Sequence, residues 1–233
     1  MNRLNWQVLD LSQPLGPSTP AWPEWPGVSV QAVCDLERDG IYDRILSLPE
    51  HTGTHLDAPA HLDPGGRFVH ELALSELVVP CVVIDVRSVC GDNRDFAVQA
   101  SHLAQFEAGH RPVPSGSAVL VCTGWDRHLA LPEIYIGPRH GPPRCPELSV
   151  GAMQYLVRRK IAGVGVDTLS VDPGKSIDLP AHRVGLAAGL WHLEGLVGLH
   201  RLPAFGSWIV VGVMPIVDGS GAPARVLSLV PTK

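Results

Sequence analysis

The segment His51-Thr-Gly-Thr-His55-Leu-Asp57-Ala-Pro-Ala-His61 places three of the chain's eleven histidines and an aspartate within eleven residues. Imidazole and carboxylate without thiolate form the donor set of zinc, manganese or non-haem iron. Donors to one ion must each lie about 2 Å from it, and that requirement restricts the local fold. A straight strand from His51 to Asp57 would span roughly 20 Å at about 3.3 Å per residue, too far to converge. A helix would put His51 and His55 on one face, but Thr52, Gly53 and Thr54 are poor helix formers and Pro59 interrupts the pattern. The sequence therefore predicts a curled loop bent at Gly53 and Pro59. A purely structural loop would gain nothing from crowding four groups that are costly to desolvate. His102, His110, His128 and His140 stand apart from the cluster and read as ordinary surface or core histidines.

Around this segment run short apolar stretches with β-branched content that predict strands: Trp6 to Leu11, Val28 to Val33, Ile41 to Leu48, Val78 to Val86, Ala118 to Thr123, Ile161 to Val166, Trp208 to Val213 and Arg225 to Leu229. Helical patterns are fewer. Ala100 to Ala108 has Ser101 as a cap candidate, and in Ser149 to Arg159 Ser149 caps a stripe of Met153, Leu156 and Val157. Helices alternating with strands inside a strand-rich chain predict an α/β class, a single sheet-rich domain over residues 1–233 with a few outer helices. Trp125 to Pro146 is a long Pro-, Gly- and Arg-rich loop, of a length that is usually functional or disordered.

Composition limits the partners. Hydrophobic residues at 45% supply a buried core, charged residues are only 18%, and 24 glycines with 22 prolines imply many turns. The most apolar window, Trp208 to Val217, is short and contains Pro215, so no membrane span is expected. A net charge of -5 with scattered Lys and Arg argues against nucleic acid as a partner. Met1 to Gln13 lacks the apolar core of a signal peptide. The five cysteines form no C-x-x-C pair, which fits reduced thiols in a cytoplasmic protein, with Cys81 and Cys122 as core filler.

The segment from His51 to His61 also resembles the H-x-G-T-H-x-D-x-P-x-H signature of the cyclase family of metal-dependent hydrolases, which includes bacterial kynurenine formamidases and isatin hydrolase. Other segments fit in the same order. Leu9-Asp10-Leu11-Ser12-Gln13-Pro14-Leu15 resembles the family's opening strand, Trp25-Pro26-Gly27 its W-P-G turn and Thr123-Gly124-Trp125 its T-G-W. Asp167-Thr-Leu-Ser170-Val-Asp172, Ala181-His182 and Leu193-Glu194-Gly195 resemble its C-terminal half. The chain departs from the family where Val28 follows Gly27 in place of the Asp of many formamidases, and where Glu147 replaces a Gly before Leu148-Ser149.

The resemblance implies a domain of the swivelling β/β/α type. It implies that His51, His55 and Asp57 bind a first divalent metal, Zn or Mn, and that Asp57 bridges to a second held by His182 and Glu194, giving one or two ions per subunit. His182, just after Pro180, is expected at the start of an element. His61 need not be a ligand and is the candidate general base, while Trp22, Trp25 and Trp125 are candidates to stack on an aryl substrate. Bound metal can lower the pKa of water from about 15.7 to about 7, so the expected chemistry is water attack on an amide or formamide carbonyl. The expected reaction is hydrolysis of N-formylkynurenine to kynurenine and formate. The alternatives are another cyclic amide, imide or lactone such as isatin, and a non-enzymatic metal-stabilised binding protein; His61, a base that a structural site would not need, speaks against the last. The family also implies a homodimer or homotetramer acting on a small molecule.

Overall fold

The computed structural model describes residues 5–138, 141–172, 174–176 and 178–232; Arg139 and His140 of the long loop lie outside the described residues. In chain order the strands are β1 (Trp6–Asp10), β2 (Ser29–Cys34), β3 (Asp43–Ser47), β4 (His55–Asp57), β5 (Val78–Asp85), β6 (Ala97–Val98), β7 (Ala118–Cys122), β8 (Glu147–Leu148), β9 (Gly163–Val166), β10 (Trp191–Glu194), β11 (Ser207–Val213) and β12 (Gly221–Pro231). The helices are α1 (Leu36–Asp39), α2 (Leu74–Leu77), α3 (Arg87–Cys90), α4 (Ala100–Gly109), α5 (Pro132–Tyr135), α6 (Val150–Arg158) and α7 (Pro180–Ala187). Every apolar run read as a strand forms one. The sequence reading missed β4 and β10, each only three or four residues long, and α7, whose Pro180 and Gly185 weaken its helical signal.

Seven strands pair in the order β12-β11-β5-β7-β9-β10-β4, and β4 returns to β12, which closes the sheet into a barrel. Strand β12 accomplishes this by its length. Its first residues, Gly221 to Pro223, pair with β4, and Leu227 to Pro231 pair with β1 along the same edge. The β5-β7, β7-β9 and β9-β10 pairs are parallel, and α4, α6 and α7 lie in the connections between those strands. The outcome is a mixed α/β molecule dominated by one closed sheet, with β2 and β3 forming a separate antiparallel arm.

Alternation along the strands sorts the core into two layers. Val79, Cys81 and Val83 of β5 and Ala118, Leu120 and Cys122 of β7 join Leu56, Leu193, Ile209 and Val226 in the cluster enclosed by the barrel. Val82, Ile84, Val119 and Val121 point outward to Leu103 of α4, Met153 and Leu156 of α6 and Ala181 of α7. Strand β7 is buried on both faces, which is why its sequence is an unbroken apolar run. Inside, Trp191 fills space left by Gly163, where a Cβ would fall 2.2 Å from the indole.

Helix α6 begins as expected, with Ser149 Oγ accepting from the Ala152 N–H at 3.1 Å. Ser101 does not cap α4, however. The helix starts one residue earlier, and His102 Nδ1 accepts the N–H of Gln99 at its N-terminus instead.

Candidate metal centre

The segment from His51 to His61 is a loop only at its ends. Gly53 takes φ +65° and reverses the chain, Pro59–His61 forms a 3-10 turn, and between them His55–Asp57 runs straight as β4. This corrects the expectation of a continuous curl. A strand of three residues puts His55 and Asp57 on one face with Leu56 in the barrel core, so only His51 has to be folded back. The fold-back is tight, for a Cβ on Gly221 would lie 2.6 Å from His51 Cε1.

Antiparallel pairing then does what spacing alone could not. In β10 the residues alternate as Trp191 in, His192 out, Leu193 in, Glu194 out, and the register sets Glu194 opposite His55 and His192 opposite Asp57. Helix α7 lies over this outer face and adds His182, the third residue of the helix. The position of His182 at an element's start and its convergence with Glu194 are both present.

Asp172, the last residue of the Asp167 to Asp172 motif, fixes that helix end. Its carboxylate accepts the N–H groups of Ala181 at 2.9 Å and His182 at 2.8 Å, and the same Oδ2 accepts from His182 Nδ1 at 2.8 Å. Asp172 thus serves as cap and as orienting partner of the imidazole.

The hydrogen bonds assign the ring nitrogens. His55 Nδ1 donates to Gly53 O at 2.9 Å and His182 Nδ1 to Asp172, which leaves both Nε2 atoms bare. Ser220 Oγ donates to Glu50 Oε2 at 2.8 Å, so it accepts from His51 Nε2 at 2.9 Å and leaves His51 Nδ1 bare. These lone pairs face carboxylate oxygens: His51 Nδ1 to Asp57 Oδ1 at 2.6 Å, His55 Nε2 to Asp57 Oδ1 at 3.2 Å and to Glu194 Oε2 at 3.5 Å, and His182 Nε2 to Glu194 Oε1 at 3.0 Å and to Asp57 Oδ2 at 3.4 Å.

Acceptors facing acceptors in a buried site require a cation between them, either a proton or a metal ion. Several of the separations lie near the roughly 3.3 Å between two ligands of one tetrahedral ion. The side chains present therefore fit divalent metal, and His51, His55 and Asp57 form one compact ligand group. The same field acts on protons. Burial opposes charging His55, but Asp57 and Glu194 outweigh it and lift its pKa to about 9, and His182 is likewise raised despite its burial. Burial would raise Asp57, yet the neighbouring histidines hold it well below the usual carboxylate range.

His61 behaves differently. It sits at the turn after β4, its ring centroid 4.0 Å from that of His51 and 6.1 Å from that of His182, and burial pushes its pKa down to about 4. At neutral pH it is an uncharged base. Above it opens a cavity of about 320 Å³ whose lining includes Trp22, Trp25, His51, His55, Asp57, His61, His182 and Glu194.

Trp125 is not in that lining. It is 1% exposed, packs with Tyr135 and Cys145, and donates its indole N–H to Tyr135 O at 3.0 Å. Its expected contact with substrate is corrected to a core role, and the loop that follows it carries a small core of its own. The residue that sequence reasoning missed is His192. The strict alternation of Trp191 to Glu194 was the signal available for it, since it puts His192 on the same face as Glu194.

Comparison with known proteins agrees with the geometry. Residues 9–173 match the Cyclase family model, described as “Putative cyclase”. Isatin hydrolase of Roseibium aggregatum is 29% identical, with 97% of this chain and 92% of that protein aligned. Kynurenine formamidase of Salinibacter ruber is 28% identical over 94% of this chain and 95% of its own. Among solved structures, isatin hydrolase A from Ralstonia solanacearum superposes with a TM-score of 0.91 at 31% identity, covering 97% of this chain and 92% of that one.

Proposed function

The chain belongs to the cyclase family, and from that premise we propose that it is a metal-dependent hydrolase of an aryl amide or formamide, acting on N-formylkynurenine to give kynurenine and formate. The observation that carries this reading is the convergence of His61, three further imidazoles and two carboxylates in the lining of one cavity that also includes Trp22 and Trp25. A second reading, hydrolysis of a cyclic aryl amide such as isatin, is favoured by the 0.91 TM-score with an isatin hydrolase. Both substrates present a carbonyl on an aryl nitrogen and need the same chemistry.

In this reading His51, His55 and Asp57 would hold a first divalent ion, Zn or Mn, and His182 and Glu194, together with Asp57, would hold a second. When bound, such an ion polarises a carbonyl and acidifies a water. The protein's own residues supply the rest. Asp172 and the Gly53 carbonyl fix two of the ligand imidazoles in one tautomer, so no reorganisation is needed when substrate arrives. His61 takes a proton from the attacking water at its bare ring nitrogen and returns it to the leaving nitrogen. Trp22 and Trp25 line the cavity and offer flat apolar surface on which the aryl ring can stack.

The proposal extends to the whole chain, residues 1–233, as one domain of the swivelling β/β/α type, supported by three helices lying over one arc of the barrel. It includes a cytoplasmic homodimer or homotetramer. The β2-β3 arm supports self-association, because Tyr42 at 62% exposure and Ile45 at 56% present apolar surface to solvent. No helix among the described residues is long and apolar enough to cross a membrane.

His61→Ala tests the assignment. The variant is expected to keep its metal and lose about 10² to 10⁴ in turnover of N-formylkynurenine and isatin. Undiminished turnover would remove His61 from the mechanism, and no turnover of either substrate or of a small lactone panel by metal-loaded wild type would remove the hydrolase reading.

A further inference from the structure

Two groups of side chains among the described residues can surround a cation. One is His51, His55 and Asp57; the other is Asp57, His182 and His192, whose ligand atoms lie within 4.8 Å of one another. We propose that His192 is a ligand of the second divalent ion, joining Asp57 and His182 in this chain; the inference rests on the metal-hydrolase reading above.

His192 is fully buried, and neither of its ring nitrogens has a hydrogen-bond partner among the described residues. A neutral imidazole carries one N–H and one lone pair, and leaving both unmatched in the interior is unfavourable. Directly opposite, in register across the β4-β10 pair, stands Asp57, whose Oδ2 also lacks a hydrogen bond. Two buried polar groups that face one another and remain unmatched are explained together by a cation that both would bind. The His182 ring supplies the third side, its centroid 5.1 Å from that of His192.

Helix α7 is shaped to permit this. Gly185 follows His182 by three residues and so lies on the same helix face, and a Cβ there would fall 2.3 Å from His192 Nε2. The glycine lets the helix approach closely enough for His182 to reach the strand while the His192 ring keeps its place. Packing does not call for a histidine here. Met153 Sδ lies 3.0 Å from the same Gly185 Cβ position and belongs to the outward-facing apolar layer, so a leucine in place of His192 would leave no orphaned nitrogens beside it. Two imidazoles with carboxylate oxygen suit zinc, cobalt or manganese better than magnesium or calcium.

Calorimetric titration of metal-free chain with Zn²⁺, on wild type and His192→Leu, tests the assignment. Wild type is expected to take up two ions. His192→Leu should bind the first with unchanged affinity and the second at least about tenfold more weakly. Two ions bound by the leucine variant with wild-type affinities would overturn the proposal, as would uptake of a single ion by wild type; uptake of none would instead overturn the metal reading beneath it. Anomalous diffraction from Zn²⁺-soaked wild-type crystals decides the matter without a variant. An ion about 2.0–2.1 Å from a His192 nitrogen is expected. An ion on Asp57 and His182 with His192 beyond bonding distance would refute it.

Discussion

Single groups in this protein are set by what their neighbours leave unsatisfied. Asp172 is not among the residues lining the site cavity, yet it holds His182 in the tautomer that presents Nε2 and caps the helix that carries it. Asp172→Asn should therefore weaken metal binding about 10- to 100-fold, measured as the affinity of reconstituted protein for Zn²⁺ or Mn²⁺. Asp167 shows the opposite balance. Burial raises its pKa to about 6, although its carboxylate accepts from Thr123 N and Oγ1 and from Gly124 N. The usual carboxyl value is 3.8, so the folded pKa is the higher one. The contribution of this group to stability is full below the unfolded value and is lost as pH rises through the folded one. The denaturant-measured stability of wild type relative to Asp167→Asn should accordingly fall as pH is raised from about 4 to about 6; a relative gain over that interval would contradict the assignment.

Elements bring together what the sequence keeps apart. His55 and Glu194 are 139 positions distant in the chain but opposite one another in the β4-β10 register, and that register also explains why Leu56 and Leu193 are core. The strands that enclose the barrel were legible from their β-branched runs, and α6 from its stripe and serine cap. Strands β4 and β10 were not, because three or four residues carry too little periodicity and their outward positions hold polar site residues. The candidate ligands could be named from the segment's crowding and the family resemblance, but the convergence of His182 with Glu194 depends on a helix lying over a strand pair, which no local pattern encodes. Trp125 was misplaced for a related reason: proximity in a motif says nothing about which face a side chain takes. Two glycines carry this close packing. Gly163→Ala would drive a Cβ into the Trp191 ring and should cost about 1–3 kcal/mol, read from the urea midpoint at constant m-value. Gly185→Ala presses on His192 instead, and it should lower metal affinity along with stability.

At the scale of the molecule the closed barrel supplies rigidity where the site needs it. The proposed metal ligands stand on its outer surface, on two paired strands, a helix packed over them and one tight loop, while the inner face is packed mainly with apolar side chains, Ser207 and Ser228 being buried among them. A site built on the β4-β10 register cannot loosen without opening the ring at the point where β4 closes it onto β12. Trp22, Trp25 and the exposed β2-β3 arm lie outside the strands of that frame. The most direct measurement is hydrolysis of N-formylkynurenine and isatin by the purified chain before chelation, after chelation and after stepwise return of Zn²⁺ or Mn²⁺, with bound metal determined at each stage. Turnover that vanishes on chelation and returns in proportion to metal bound is the predicted result; turnover of these substrates that survives complete metal removal would contradict it.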